Sequence, residues 1–346
     1  MGEFENGNSD RLQQLRKLMS TAFGPFVALI FVLALFSVAD VILSYFRWDR
    51  APQFPTWGTA QQILRDSSKV GIAALGMTII IVAGGIDLSA GTAMALCATV
   101  TAWFFANDWP VAVAVGMGIM TGCLTGMING TLISLLRVVP FIVTLGTMTI
   151  FLGTGLILSG NTPIRAYGKV PDWLLNLQNP IPVPQWLGVS SGVWLMLFLA
   201  ILVWLVFKYS VFGRHVYALG SNEMTARLCG INVFRLRIWV YMLSGFFVGI
   251  AGLYQFVMLG GEGDPTGGTG VELEVIAAVV IGGGSLNGGR GSVWGTISGT
   301  LIMSSILTGC VTLKIDSSYQ KVILGVIIVV AVTLDQLRQR RLNKAG

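Results

Sequence analysis

The chain has 346 residues, of which 54% are apolar and 11% charged, with a net charge of +6 and a mean hydropathy of +0.75. A soluble domain carries about 25% charged residues, so this composition excludes a globule clothed in polar surface. The basic residues sit in short segments between apolar runs rather than along one face, which excludes a nucleic-acid-binding surface and reads as a topology signal.

A polar segment, 1–20, with Arg11, Arg16 and Lys17 leads into an apolar run over 21–46. That run exceeds the ~7–15 residues of a secretory-signal core, so it is read as an uncleaved first span. Further apolar runs follow at 70–83, 88–106, 111–133, 140–159, 192–207, 238–259, 271–283, 293–311 and 320–336. Together they predict an all-α polytopic membrane protein with about ten passes, some broken or half-length, in a permease domain over 21–336 with a basic tail at 337–346.

Ten passes put both ends on one side. With the N-terminus inside, the inner segments hold Arg11, Arg16, Lys17, Arg137, Lys208, Arg214, Arg227, Arg235, Arg237, Arg290, Arg338, Arg340, Arg341 and Lys344, 14 of the 22 cations. Positive charge marks the cytoplasmic side, so both termini are predicted cytoplasmic. The runs at 70–83 and 271–283 are too short to span comfortably as straight helices, and each enters a glycine-rich break, AGGIDLSAGT at 83–92 and IGGGSLNGGRGS at 281–292. Interrupted helices at membrane depth are tolerated only where protein or a water-filled cavity satisfies the freed backbone. The breaks are therefore candidates for half-helices beside a pathway. The outer loop from Gly160 to about Ser191, with its IPVPQW run, reads as a surface cap.

Gly118, Gly122, Gly126 and Gly130, spaced by four, align on one helix face and predict close helix packing, a device repeated by Gly245 with Gly249 and Gly295 with Gly299. Charges within the membrane are functional candidates. Asp87 in the first break is a helix cap or a substrate contact, Glu272 and Glu274 open the second short pass, and Asp40 lies in the first span. Ser89, Asn129, Thr144, Thr147 and Gln255 offer polar partners for a solute and Phe141 an apolar ring face, all with Asp87 and Glu274 as candidates for a substrate pathway. No metal site is predicted. Cys97, Cys123, Cys229 and Cys310 are far apart, and the single histidine, His215, lies in a basic loop. There is no catalytic constellation and no P-loop, since GSLNGGRG at 284–291 has Arg290 and Gly291 where Lys and Ser/Thr are needed. The inner loop 208–237 contains SNEMTARLCGI, a short helix capped by Ser221 or Asn222, a suitable lever for a soluble partner. Composition alone also admits an ion-coupled secondary transporter or channel for a small polar solute.

GMTIIIVAGGIDLSAGT at 76–92, VPFIVTLGTMTI at 139–150, FGRHVYALGSNEMTARLCGINVFRLRIWVYMLSGFFVGIAGL at 212–253 and ELEVIAAVVIGGGSLNGGRGSVWGT at 272–296 resemble the bacterial monosaccharide ABC importer permeases, from about residue 60 to 336. That family includes ribose, xylose, arabinose, galactose and autoinducer-2 permeases. The resemblance implies inward movement of a monosaccharide, of ribose type, by alternating access. It implies a second permease copy, a periplasmic sugar-binding protein and a cytoplasmic ABC ATPase subunit that alone uses ATP and Mg. Asn222, Glu223, Ala226, Arg227 and Gly230 would then form the loop coupled to that ATPase, in place of the EAA-x-x-x-G loop of other importers. Ala226 and Gly230 keep that spacing, whereas Met224 stands at the consensus Glu position and Glu223 one residue earlier.

Overall fold

The computed structural model describes residues 3–46, 51–179 and 188–343. Residues 180–187, with Pro180 and the IPVPQW run of the expected cap, lie outside that set, as do Gly2 and Lys344 near the ends expected to be cytoplasmic.

The helices are α1 (Glu3–Phe46), α2 (Trp57–Val82), α3 (Ala90–Ala106), α4 (Val111–Leu136), α5 (Pro140–Ser159), the single turn α6 (Asp172–Leu175), α7 (Ser191–Tyr209), α8 (Val211–Ser221), α9 (Glu223–Leu228), α10 (Val233–Met258), α11 (Val271–Ile281), α12 (Val293–Thr312) and α13 (Ser317–Asn343). Among the described residues the only sheet is an antiparallel pair, β1 (Ile164–Arg165) with β2 (Glu262–Gly263). Among the described residues, seven helical stretches are long and apolar enough to cross a membrane: Gly24–Phe46, α4, α5, α7, α10, α12 and Ser317–Leu337 of α13. The protein is an all-α polytopic membrane protein.

Each of the ten apolar runs falls on a helix, with two departures from the sequence reading. Helix α1 continues from Glu3 through residue 20 without a break. The run at 70–83 is not a short pass but the buried end of α2, a helix of 26 residues. Hydropathy hides its first turns because they carry Gln61, Arg65, Asp66 and Lys69. Gln61 Nε2 donates to the Gly188 carbonyl at 2.6 Å, Arg65 pairs with Asp66 at 3.4 Å, and Gln61 and Arg65 line a cleft with Gln178, Asn179 and Ser190. A helix enclosed on all sides needs no apolar stripe facing lipid, and α2 is wrapped by α7, α10, α11 and α12. By contrast, the run at 271–283 does yield a short helix, α11, of 11 residues or about 16 Å.

Helix α10 is the axis of the bundle, packed against α2, α3 and α4. Its contact with α4 is made by bare backbone. A Cβ on Gly122 would stand 2.7 Å from the Gly249 Cα, one on Gly126 3.1 Å from the Gly245 Cα, and one on Gly130 2.8 Å from the Ile238 Cα. Gly118 lies instead against Thr101 and the Cys97 carbonyl of α3. Gly299 brings α12 against α11, 2.9 Å from the Gly282 N, by the same means. Without a hydrophobic drive between helices in lipid, such close approach supplies the dispersion that holds them.

The ends of the bundle differ. At one end the sheet ties the loop after α5 to the loop after α10, Arg165 and Tyr167 share Glu262, and Lys169 pairs with Asp108 at 2.9 Å. The opposite end gathers the turns between α2 and α3, α4 and α5, and α11 and α12 around α8 and α9. At the first end, Asp40 of α1 is buried and its Oδ2 accepts from the N–H groups of Gln53 and Phe54 at 2.6 and 2.8 Å, so this charge shapes the entry to α2.

Gly122→Leu or Gly126→Leu should lower the yield of folded protein several-fold, because over-packing costs about 1–3 kcal/mol even where side chains can shift and here backbone cannot. Gly116 of the same helix has open space around its Cα, so Gly116→Leu should leave the yield unchanged. Size-exclusion profiles of fluorescent fusions in mild detergent compare the three.

Candidate functional site

Helix α8 folds back on α7 at Ser210, whose Oγ accepts from the Gly213 N at 3.0 Å. It lays Val216 and Leu219 into the core. Asn222 then takes an extended conformation, ends α8 and caps α9, its Oδ1 accepting from the Thr225 N at 3.0 Å. Glu223 in the first turn of α9 accepts from Arg227 at 2.6 Å and from Arg237 of α10 at 2.9 Å. Burial pushes the Glu223 carboxyl up, but the two arginines outweigh it and hold the group below its ordinary 4.5. Gly230 makes the turn into α10 at φ +81°, a conformation that glycine adopts at no steric cost. Beside α9 lies an open cleft of about 500 Å³, lined by Arg137, Pro140, Arg227, Phe234 and Arg237 among others.

Ala226 departs from its expected place at a partner surface. It is only 3% exposed and faces the body of the protein. The outward face of α9 carries Met224 at 72% and Leu228 at 87% exposure. Two apolar residues four apart on a polar loop share a helix face, and that spacing was readable in the sequence. The amphipathic helix α8 was also legible, from Ser210 followed by Val211, Val216 and Leu219.

Behind α9 three backbones meet. A Cβ on Gly220, at the end of α8, would collide with the Val82 carbonyl and stand 2.6 Å from the Gly289 N. One on Gly288 would stand 2.6 Å from the Gly220 carbonyl and 2.8 Å from the Gly84 Cα. The Gly289 N donates to the Val82 carbonyl at 2.9 Å, and Gly84, Gly288 and Gly289 all have positive φ. The segment carrying α9 is thus in direct backbone contact with both glycine breaks.

The first break holds four of the eight pathway candidates together. Asp87 Oδ1 accepts from the Ser89 N and Oγ at 2.8 and 2.6 Å, and Asn129 Nδ2 donates to Ser89 Oγ at 2.8 Å. Thr144 Oγ1 accepts from the Leu88 N at 3.1 Å, and the Tyr241 hydroxyl donates to the Ile86 carbonyl at 3.4 Å. Protein groups thereby satisfy the interrupted backbone, as its depth requires. Asn129 Oδ1 is buried and makes no hydrogen bond among the described residues. The other four candidates lie apart. Thr147 turns back to the Thr144 carbonyl at 3.3 Å, Phe141 projects outward from α5, Gln255 sits on α10 beside Gly267, and Glu274 is half-buried on α11. Glu272 is buried and accepts from the Gly270 N at 3.1 Å. No cluster of metal-ligating side chains occurs among the described residues.

Residues 59–332 match the family described as branched-chain amino acid transport system / permease component. The probable ABC transporter permease protein YphD of Escherichia coli strain K12 is 37% identical over 85% of this chain and 86% of its own length. The ribose import permease protein of the same strain is 36% identical, covering 84% and 89%. The fructose import permease protein of Rhizobium meliloti is 32% identical, covering 97% and 91%. With likeness along nearly the whole bundle, the chain belongs to the branched-chain amino acid transport system / permease component family, as a permease subunit of an ABC transporter.

Proposed function

We propose that this chain is the membrane-spanning subunit of a monosaccharide importer of ribose type, moving sugar from periplasm to cytoplasm by alternating access, with both termini in the cytoplasm. A second permease copy, a periplasmic sugar-binding protein and a cytoplasmic ATPase complete the assembly, and the ATPase holds the ATP and Mg. The relatives that import ribose and fructose support the sugar class. The observation that carries the mechanism is the position of α9, which presents Met224 and Leu228 outward while its preceding residue pair, Gly220 and Ser221, abuts both breaks.

In this reading Met224 and Leu228 enter a groove of the ATPase, and Glu223 fixes the angle of α9 through Arg227 and Arg237. A push on α9 reaches the two breaks through Gly220 without passing through flexible side chains. Asp87, Ser89, Asn129 and Thr144 hold the first break in shape, and the open Asn129 Oδ1 leaves that joint one acceptor for a passing hydroxyl.

Met224→Glu and Leu228→Glu should reach the membrane at normal levels and weaken ATPase copurification at least about tenfold, since a charge placed in a desolvated contact costs several kcal/mol. Retained binding in both variants would remove α9 from the interface.

Because the Glu223 carboxyl lies below its ordinary value, its contribution to docking is complete above pH 4.5 and is lost only as pH falls through the lowered value. Sugar-stimulated ATP hydrolysis should therefore owe no slope to Glu223 across the neutral range, and Glu223→Gln should lower it at every pH there. A Glu223→Gln complex with unchanged stimulation would rule out the positioning role.

Gly220→Ala tests the joint. Its complex should keep the ATPase bound and hydrolyse ATP, while sugar carried per ATP falls at least several-fold. An unaltered ratio would make the joint a packing contact only.

A further inference from the structure

The loop between α10 and α11 descends into the bundle. Gly263 packs on α3 at the level of Ala102, where a Cβ would stand 2.6 Å from the Ala102 Cβ. Gly268 packs against the Gly91 carbonyl near the other end of the same helix. Between those levels α3 rises by about 16 Å, so residues 263–270 run non-helically through roughly half of a ~30 Å hydrocarbon layer. Pro265 lies against Gly155 of α5, and Gln255 of α10 directs its amide at Gly267, the Nε2 2.9 Å from where a Cβ would be.

The inner side of this descent is closed by α3, but Thr266, Gly267 and Thr269 are exposed. Exposed irregular backbone at this depth cannot face lipid, since each unsatisfied peptide group there costs several kcal/mol. Such a segment is tolerated only where it meets protein or lines a water-filled path. The face is hydroxyl-rich, with one carboxylate, Asp264. The side-chain and backbone donors of Thr266 occupy Asp264 Oδ1 at 2.7 and 2.8 Å, and no group of metal-ligating side chains forms among the described residues. Gln255 is 3% exposed, and its Oε1 makes no hydrogen bond among the described residues, an open acceptor directly behind the loop. The Thr266 Oγ can still accept and the Thr269 hydroxyl can donate and accept, which suits a polyol and holds it weakly enough to release it.

We propose that the exposed face of the 264–270 descent, with Thr266, Thr269 and the Gly267 carbonyl backed by Gln255, is a contact site for the transported polyol along the path. The assignment rests on the monosaccharide-importer reading. It adds Thr266 and Thr269 to the path and gives Gln255 the role of supporting the loop from behind.

The test uses the complete importer, permease with its ATPase and binding protein, in membrane vesicles. Thr266→Cys and Thr269→Cys should react with a charged, membrane-impermeant thiol reagent above the background of the parent, and ribose with its binding protein should slow that reaction at least about threefold. Thr269→Val should cut ribose uptake by about three- to tenfold, the worth of one neutral hydrogen bond, with ATPase copurification as the control for assembly. Unreactive cysteines would mean that the face is closed off against the second copy and would overturn the site. Reactivity indifferent to ribose, together with normal uptake by Thr269→Val, would overturn it equally. If the parent complex carries no monosaccharide at all, the functional reading falls and this assignment falls with it. Sugar transport with unprotected, dispensable threonines sinks this assignment alone.

Discussion

Every peptide group freed where a helix breaks inside the membrane must find its partner in the protein, and most of this structure can be traced to that requirement. The first break is closed by Asp87, Ser89, Asn129, Thr144 and Tyr241. The second is closed by the Val82 carbonyl, which accepts from the Gly289 N, and by Tyr217, whose hydroxyl donates to the Gly291 carbonyl at 3.0 Å. Since one break supplies the acceptor for the other, neither rearranges alone. Gly220 then brings α8 into the same contact. A moving part assembled from backbone transmits displacement well, because no side-chain rotamer can absorb it.

The acidic residues in and beside the bilayer follow a common pattern. Asp40, Asp87 and Glu272 each accept from backbone N–H groups where the chain turns or a helix begins. A carboxylate at such a place answers several donors at once and offsets the helix dipole. Buried charge in this chain therefore organises irregular backbone. The contrast is Glu223, which is paired with two arginines at the protein surface and serves orientation instead.

The apolar runs were legible because lipid exposure writes itself into the sequence, and eight of the ten correspond closely to helices facing lipid or the core. What remained hidden was governed by enclosure. The polar start of α2 does not read as a span, and Gln61 is answered by Gly188, a neighbour no hydropathy window contains. Ala226 was placed on the partner side by its spacing from Gly230, whereas a six-residue helix has an inner face and the small residue took it. Met224 and Leu228 carried the outward signal, as large apolar residues in a basic loop. Of the pathway candidates, the four near the first break are brought together because Asp87 and Ser89 are two residues apart and α4 and α5 flank them. Nothing local marked the descent at 263–270, whose depth follows only from glycines packed along α3.

Phe36 of α1 inserts its ring at Gly309 of α12, a notch in which a side chain at residue 309 would leave no room. The two residues are separated by most of the chain. During synthesis at ~5–20 residues per second, α1 enters the bilayer tens of seconds before its socket exists. Until then α1 is held only by its apolar length and by the nearby segment before α2, through Asp40 with the Gln53 and Phe54 N–H groups and through the Phe36–Phe54 ring contact. Its main docking is therefore late, when α12 closes onto Phe36.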